Sequence, residues 1–215
     1  MAVNMKQLII NADDYGRSEF FDRGIIEATM QGIVTSTSVM VLRCSAEAAQ
    51  MLKDFDVSVG LHLELAEGDA APQIKEQDKR FKQLFGCSPT HVDGHKDAHI
   101  RDDETKQAVA DYAKSLSIPV RAHYEFDRKF FRGQGLKTAD NIQLLLRKNA
   151  FQVVQSVGEL KEGATEWVSN PGYTDPNSDS TLNAEREEEL KILLSMELKA
   201  ALEKNDVYLI DFREL

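Results

Sequence analysis

Cysteine is scarce in this chain: there are two among 215 residues, Cys44 and Cys87, and neither stands in a CxxC pair. No disulfide framework follows from that, and two reduced thiols in a cytoplasmic protein are expected. Long apolar runs are missing too. None approaches the roughly 18 residues that a membrane-spanning helix needs. The opening MAVNMKQLII lacks the apolar core of a secretory signal. Positive charge is outnumbered, with 26 Lys+Arg against 36 Asp+Glu and a formal net charge of −10. A uniformly acidic surface attracts neither a nucleic-acid backbone nor an anionic membrane as its main partner. Arg121, Arg128, Lys129 and Arg132 are still close enough in sequence for a local basic patch. There is no P-loop, no GxGxxG and no GxSxG elbow, so ATP, dinucleotides and a serine nucleophile have no support. No repeat, low-complexity tract or linker divides the chain, and one domain over residues 1–215 is expected.

What remains is an ordinary globular composition, 42% hydrophobic and 29% charged, with strand-like and helix-like segments in alternation. Strands are expected at 7–11, 33–42, 57–65, 90–93, 118–122, 165–169 and 207–211. Helices are expected at 19–31, closed by Gly32, and at 45–53, 73–85, 102–115, 140–156 and 185–203. Residues 123–139 and 171–180 read as loops. Alternation of this kind means a largely parallel sheet with helices outside it. Both a (β/α) barrel, closed or nearly so, and an open doubly wound sheet fit.

Three clusters carry chemistry, each near the C-terminal end of an expected strand, where the loops of parallel α/β folds converge. Asp13-Asp14 ends the first strand. Two close carboxylates repel unless a cation lies beside them, although a DD pair alone also reads as a helix cap or a solvated turn. His62, in VGLHLEL, sits on an expected buried strand, where a hydrogen-bonded core histidine is the plainer interpretation. THVDGHKDAH holds three of the five histidines, His91, His95 and His99, with Asp93 among them. On an extended segment His91, Asp93 and His95 share one face. Such a set is costly to bury without a cation or a complete hydrogen-bond network. His95-Lys-Asp-Ala-His99 has zinc-protease spacing but lacks the glutamate after its first histidine. A two-histidine, one-carboxylate iron site on His91-x-Asp93 belongs on an all-β frame, which the alternating pattern disfavours. One carboxylate and two histidines from different strand ends leave positions open on a metal, and a second carboxylate can serve as general base.

LIINADDYGRS, GIIEATMQGIVTSTSVMV, VGLHLEL, PTHVDGHKDAHI, IPVR and NPGY occur in the order found in the YdjC-like (ChbG-like) carbohydrate deacetylase family. The resemblance runs from Leu8 to about Tyr173 and continues weakly through Arg186–Leu190. It implies an α/β fold with a (β/α) barrel, incomplete or distorted relative to a TIM barrel. It also implies one divalent metal ion (Mg, Zn or Mn) and metal-dependent removal of an N-acetyl group from a small acetylated sugar of the diacetylchitobiose kind. Carried over, the metal ligands are Asp14, His62 and His95, and Asp13 is the general base that activates the attacking water. His91, Asp93, His99, Arg121, Asn170 and Tyr173 are expected to meet the substrate. The chain departs from the family at two places. Asn170 stands where a histidine usually precedes Pro-Gly-Tyr, and Asp97 stands where a further histidine is common. Asparagine cannot deliver a proton to an amine, which leaves His99 or His123 as proton donor. The alternative is a metal-containing carbohydrate-binding or regulatory protein with weak or no turnover. A homodimer is left open.

Overall fold

Ten consecutive residues, Lys6–Tyr15, form β1, the spine of the molecule, and eight of them are buried. The computed structural model describes residues 5–215. Around β1 the chain winds α1 (Glu19–Met30), β2 (Ser36–Val39), α2 (Ala46–Lys53), β3 (Ser58–Leu63), α3 (Ala70–Phe85), β4 (Val92–Gly94), α4 (Asp103–Leu116), α5 (Glu125–Gly133), β5 (Asn141–Leu144), α6 (Ala150–Gly158), β6 (Gly163–Ser169), α7 (Glu185–Leu194), α8 (Met196–Lys204) and β7 (Val207–Leu209). Every strand pair is parallel. The sheet order is β4-β3-β2-β1-β6-β5, with β7 also on β1. β6 takes one edge of β1 over Lys6–Ala12, so β7 (at Lys6–Leu8) and β2 (at Asn11–Tyr15) share the other edge. No ladder joins β5 back to β4 among the described residues. The architecture is a curled, incomplete (β/α) barrel.

Alternation along β1 separates two environments. Leu8, Ile10 and Ala12 join the large apolar core. Ile9 faces a small cluster with Ala164, Ile210 and Phe212. Above Ile9, on the same side of the strand, come Asn11 and Asp13. The neighbouring strands contribute Ser36, Ser38, Ser58, His62, Asp93 and Glu166, all buried. The concave interior therefore passes from apolar at its base to polar at the C-terminal ends of the strands.

Several expected boundaries move. The strand expected at 118–122 shrinks to one parallel bridge, Val92 to Val120. The expected loop 123–139 contains α5, whose buried Asp127 and Phe131 lie one turn apart. The helix expected at 140–156 is two elements. β5 pairs with β6 at the sheet's edge and is half-exposed, and at four residues its Asn-Ile-Gln-Leu alternation is too short to stand out. Arg147 then turns the chain at φ 59, and Asn149 with Gln152 forms a capping box that starts α6. The long late helix breaks at Ser195, extended at ψ 142, whose hydroxyl caps α8.

Candidate active site

Neighbouring residues of a regular strand face opposite ways, yet Asp13 and Asp14 reach the same place. A bulge makes this possible. Ala12 pairs with Thr37 and Tyr15 with Val39, so two residues of β1 oppose one of β2. Asp14 adopts φ 70, a conformation that aspartate tolerates better than most residues. Both side chains then border a cleft of about 350 Å³ together with His62, His95, His123 and Asn170.

Their partners differ. Asp13 accepts a forked pair from Arg121, at 2.8 Å from Nη1 and 2.7 Å from Nη2, and a third bond of 2.7 Å from Asn11. Asp14 Oδ1 lies 2.9 Å from His95 Nδ1 and 3.5 Å from His62 Nε2. Its Oδ2 is paired with Arg186. Burial alone would raise the pKa of Asp14, but the two histidines and Arg186 outweigh it and hold the carboxylate well below its usual range.

His62 is fixed from behind: its Nδ1 sits 2.8 Å from Asp93 Oδ1. Burial disfavours a charge on this ring, yet Asp93 and Asp13 push its pKa up to about 10. The carboxylates around His62 thus favour positive charge at that ring. One carboxylate oxygen and two ring nitrogens, from Asp14, His62 and His95, lie within 4.8 Å of one another. With the Asp93 carboxylate orienting the imidazole from behind, this donor set suits a divalent cation. A second grouping, Asp13, His62 and Asp93, also brings its ligand atoms within 4.8 Å of one another. It fits a cation poorly, because Arg121 already lies 2.7 Å from Asp13 and 2.9 Å from Asp93.

The other expected residues divide. Asn170 borders the cleft, its backbone N–H donating to Glu189 at 2.6 Å. Arg121 borders it too, but it is 1% exposed, and Nε and both Nη nitrogens are committed to Asp13, Asp93 and Glu166. It is a buried brace, not a free donor for substrate. Asp93 lies under the cleft, between His62, Arg121 and a 2.7 Å bond from Ser38. His91 is deeper still, stacked on Phe212 at 3.8 Å with Nε2 3.1 Å from Ser38. Gly60 makes room for that ring, since a Cβ there would fall 2.2 Å from it. His99 is buried and donates from Nε2 to the Arg121 carbonyl at 3.2 Å. Burial drives the pKa of both His91 and His99 down to about 3. Tyr173 bonds Glu27 under the Arg23 guanidinium. None of His91, Asp93, His99 and Tyr173 lines the cleft: the first three are buried in the networks just described, and Tyr173, partly exposed, is held by Glu27 and Arg23.

Arg186 was visible in sequence only as part of a charged helix start. It is completely buried, and its guanidinium lies 3.8 Å above the Phe21 ring. Gly24 and Gly172 allow this approach: a Cβ on Gly24 would meet the Gly172 Cα at 2.5 Å. The NPGY segment thus clamps α7 against α1, and α7 delivers Arg186 to Asp14.

The sequence model of the family described as YdjC-like protein matches residues 7–77 and 69–204. The chain belongs to the YdjC-like protein family. It is similar to a carbohydrate deacetylase of Thermoanaerobacter pseudethanolicus, 28% identical over 247 residues and covering 97% of this chain and 98% of that one. It is likewise similar to a chitooligosaccharide deacetylase of Proteus mirabilis, 27% identical over 256 residues, with 97% and 98% covered. A crystal structure from Enterococcus faecalis V583, of a protein proposed to cleave cellobiose phosphate, has the same fold. It superposes with a TM-score of 0.85 at 22% identity over 98% of each chain. No helix among the described residues is long and apolar enough to cross a membrane.

Proposed function

We propose that this YdjC-like protein is a cation-dependent deacetylase that removes the N-acetyl group of a small sugar of the chitooligosaccharide kind. The names of its relatives support the reaction, and a cleft of about 350 Å³ is near the small end of ligand sites, which run from about 300 to 1,000 Å³. The observation that carries the reading is the bulge at Asp13-Asp14. It gives one site two carboxylates with different partners, one beside two imidazoles and one beside a guanidinium.

In this reading Asp14, His62 and His95 hold the cation, and Arg186 occupies the second Asp14 oxygen. A bound divalent cation supplies Lewis-acid polarisation of the acetyl carbonyl and makes water a better nucleophile. Asp13 takes the water's proton. Arg121 and Asn11 hold that carboxylate in place, and Glu166 and Asp93 hold Arg121. Both cysteines are free, which suits reaction in a reducing cytoplasm.

The test is acetate release from a panel of N-acetylated mono- and disaccharides, N,N'-diacetylchitobiose included, with metal content measured by elemental analysis. Activity should vanish with a chelator and return with zinc, manganese or magnesium. Asn170 favours a second reading, a sugar-binding protein without turnover. Measurable sugar affinity with no acetate from any member of the panel would decide for it.

A further inference from the structure

Breaking an amide requires a proton on the departing nitrogen, because an amide anion is too poor a leaving group to depart unaided. Asn170, on the cleft wall, has no proton to give at neutral pH. The other groups bordering the cleft narrow the choice. Arg17 and Arg121 are guanidinium groups, which do not release protons in proteins. His62 and His95 face Asp14 in the cation group, and Asp13 is held by Arg121 as an acceptor. His99 is excluded by position. It is buried, donates from Nε2 to the Arg121 carbonyl and leaves Nδ1 without a partner.

His123 is the remaining imidazole. It borders the cleft, its side chain is 12% exposed, and its Nε2 lies 3.0 Å from Asp97 Oδ1. Asp97 arrives there by an unusual backbone path. Lys96 and Asp97, consecutive and neither a glycine, adopt φ 52 and φ 59, at a cost of about 1–2 kcal/mol each. Strain of this kind persists where the surroundings over-determine it and clusters at functional sites. Burial and the nearby Arg121 charge lower the pKa of the His123 ring against the opposing pull of Asp97 and Asp13, so its imidazolium is a stronger acid than that of a free histidine.

We propose that His123, oriented by Asp97, is the catalytic acid that protonates the leaving amine. The proposal rests on the deacetylase reading above. As Asp13 takes one proton of the water, the water oxygen bonds to the acetyl carbon. When the carbon–nitrogen bond breaks, nitrogen keeps its electron pair and takes a proton from the His123 imidazolium. The products are acetic acid, which ionises, and the free amine. Asp13 is left protonated and His123 neutral, and exchange with solvent resets both. Asp97 acts through His123 and is a positioning residue.

The leaving group provides the test. Removing N-acetyl from diacetylchitobiose needs the proton, whereas 4-nitrophenyl acetate expels a stable anion and does not. In cation-loaded full-length protein, His123→Asn and His123→Gln should lower acetate release from the sugar by about 10²–10⁴-fold and spare ester hydrolysis. Asp97→Asn should give a smaller loss, again confined to the amide. Unchanged cation affinity by calorimetry would show that these variants keep the site. Equal loss on both substrates with cation affinity intact would overturn the proposal. So would an undiminished His123→Asn, or an amide-specific loss in Lys96→Gln and not in the His123 variants. An active wild type beside an equally active His123→Asn would sink this proposal alone. A wild type that releases no acetate from any sugar would sink it together with the reading beneath it.

Discussion

Asp13 and Asp14 are chemically identical side chains, and their surroundings give them different work. Asp14 Oδ1 is shared by two imidazoles. Asp13 is locked in the fork of a buried arginine. Replacing Asp13 by Asn keeps the size of the side chain and removes its basicity. Acetate release should fall by about 10²–10⁴-fold, while the cation, held by other residues, should bind with unchanged affinity in a calorimetric titration. Activity surviving that change would remove Asp13 from the base role. The Asp-Asp pair, His62 and His95 were accessible from sequence because each closes a strand. The supporting role of Arg121 was not, since its partners Asp13 and Glu166 lie 108 and 45 residues away.

The secondary structure was recognisable wherever a segment buried one clean face. Helix α4, capped by Asp102 at 2.7 Å from the Thr105 N–H, is an example. It was obscure at the sheet's edge, where β5 is only half-covered and four residues long. There the Asn149/Gln152 capping box was the usable signal, because it marks a helix start in the middle of a segment that otherwise reads as one helix. The clamp between α1 and the NPGY segment yields a packing test. Gly24→Ala puts a methyl group 2.5 Å from the Gly172 backbone, which cannot rotate away. It should destabilise the protein by about 1–3 kcal/mol, even though alanine favours helix by about 1 kcal/mol. Gly133→Ala in α5 meets nothing within 4 Å and should be neutral or mildly stabilising. Denaturant titration of the two variants compares them directly, and equal behaviour would mean that α1 and Gly172 do not pack as described.

Buried ionisable groups make stability depend on pH, with opposing contributions. His91 and His99 are held neutral by burial, with pKa values near 3, whereas unfolded histidine protonates near about 6.5. The unfolded chain therefore binds more protons across that window, and stability is lost as pH falls through it. Asp22, Glu166 and Glu189 have pKa values raised to about 7, chiefly by burial. For these the native chain holds more protons, and stability is lost as pH rises from the ordinary carboxylate range to about 7. His99→Gln, which retains a donor for the Arg121 carbonyl, isolates one contribution. Between pH 6 and 4 it should lose less stability than the parent, by about 1.4 kcal/mol per pH unit, measured by urea unfolding at each pH. Parallel curves would show that His99 is not held neutral. Apolar periodicity and turn chemistry act between near neighbours, so the strand–helix alternation and the strand-end acids and histidines can be read locally. A buried charge is defined by whichever group replaces its lost water. For Asp14 that group includes Arg186, 172 residues away, and for Arg121 it is Asp13, 108 residues away. Such pairings exist only once the barrel has curled and excluded solvent.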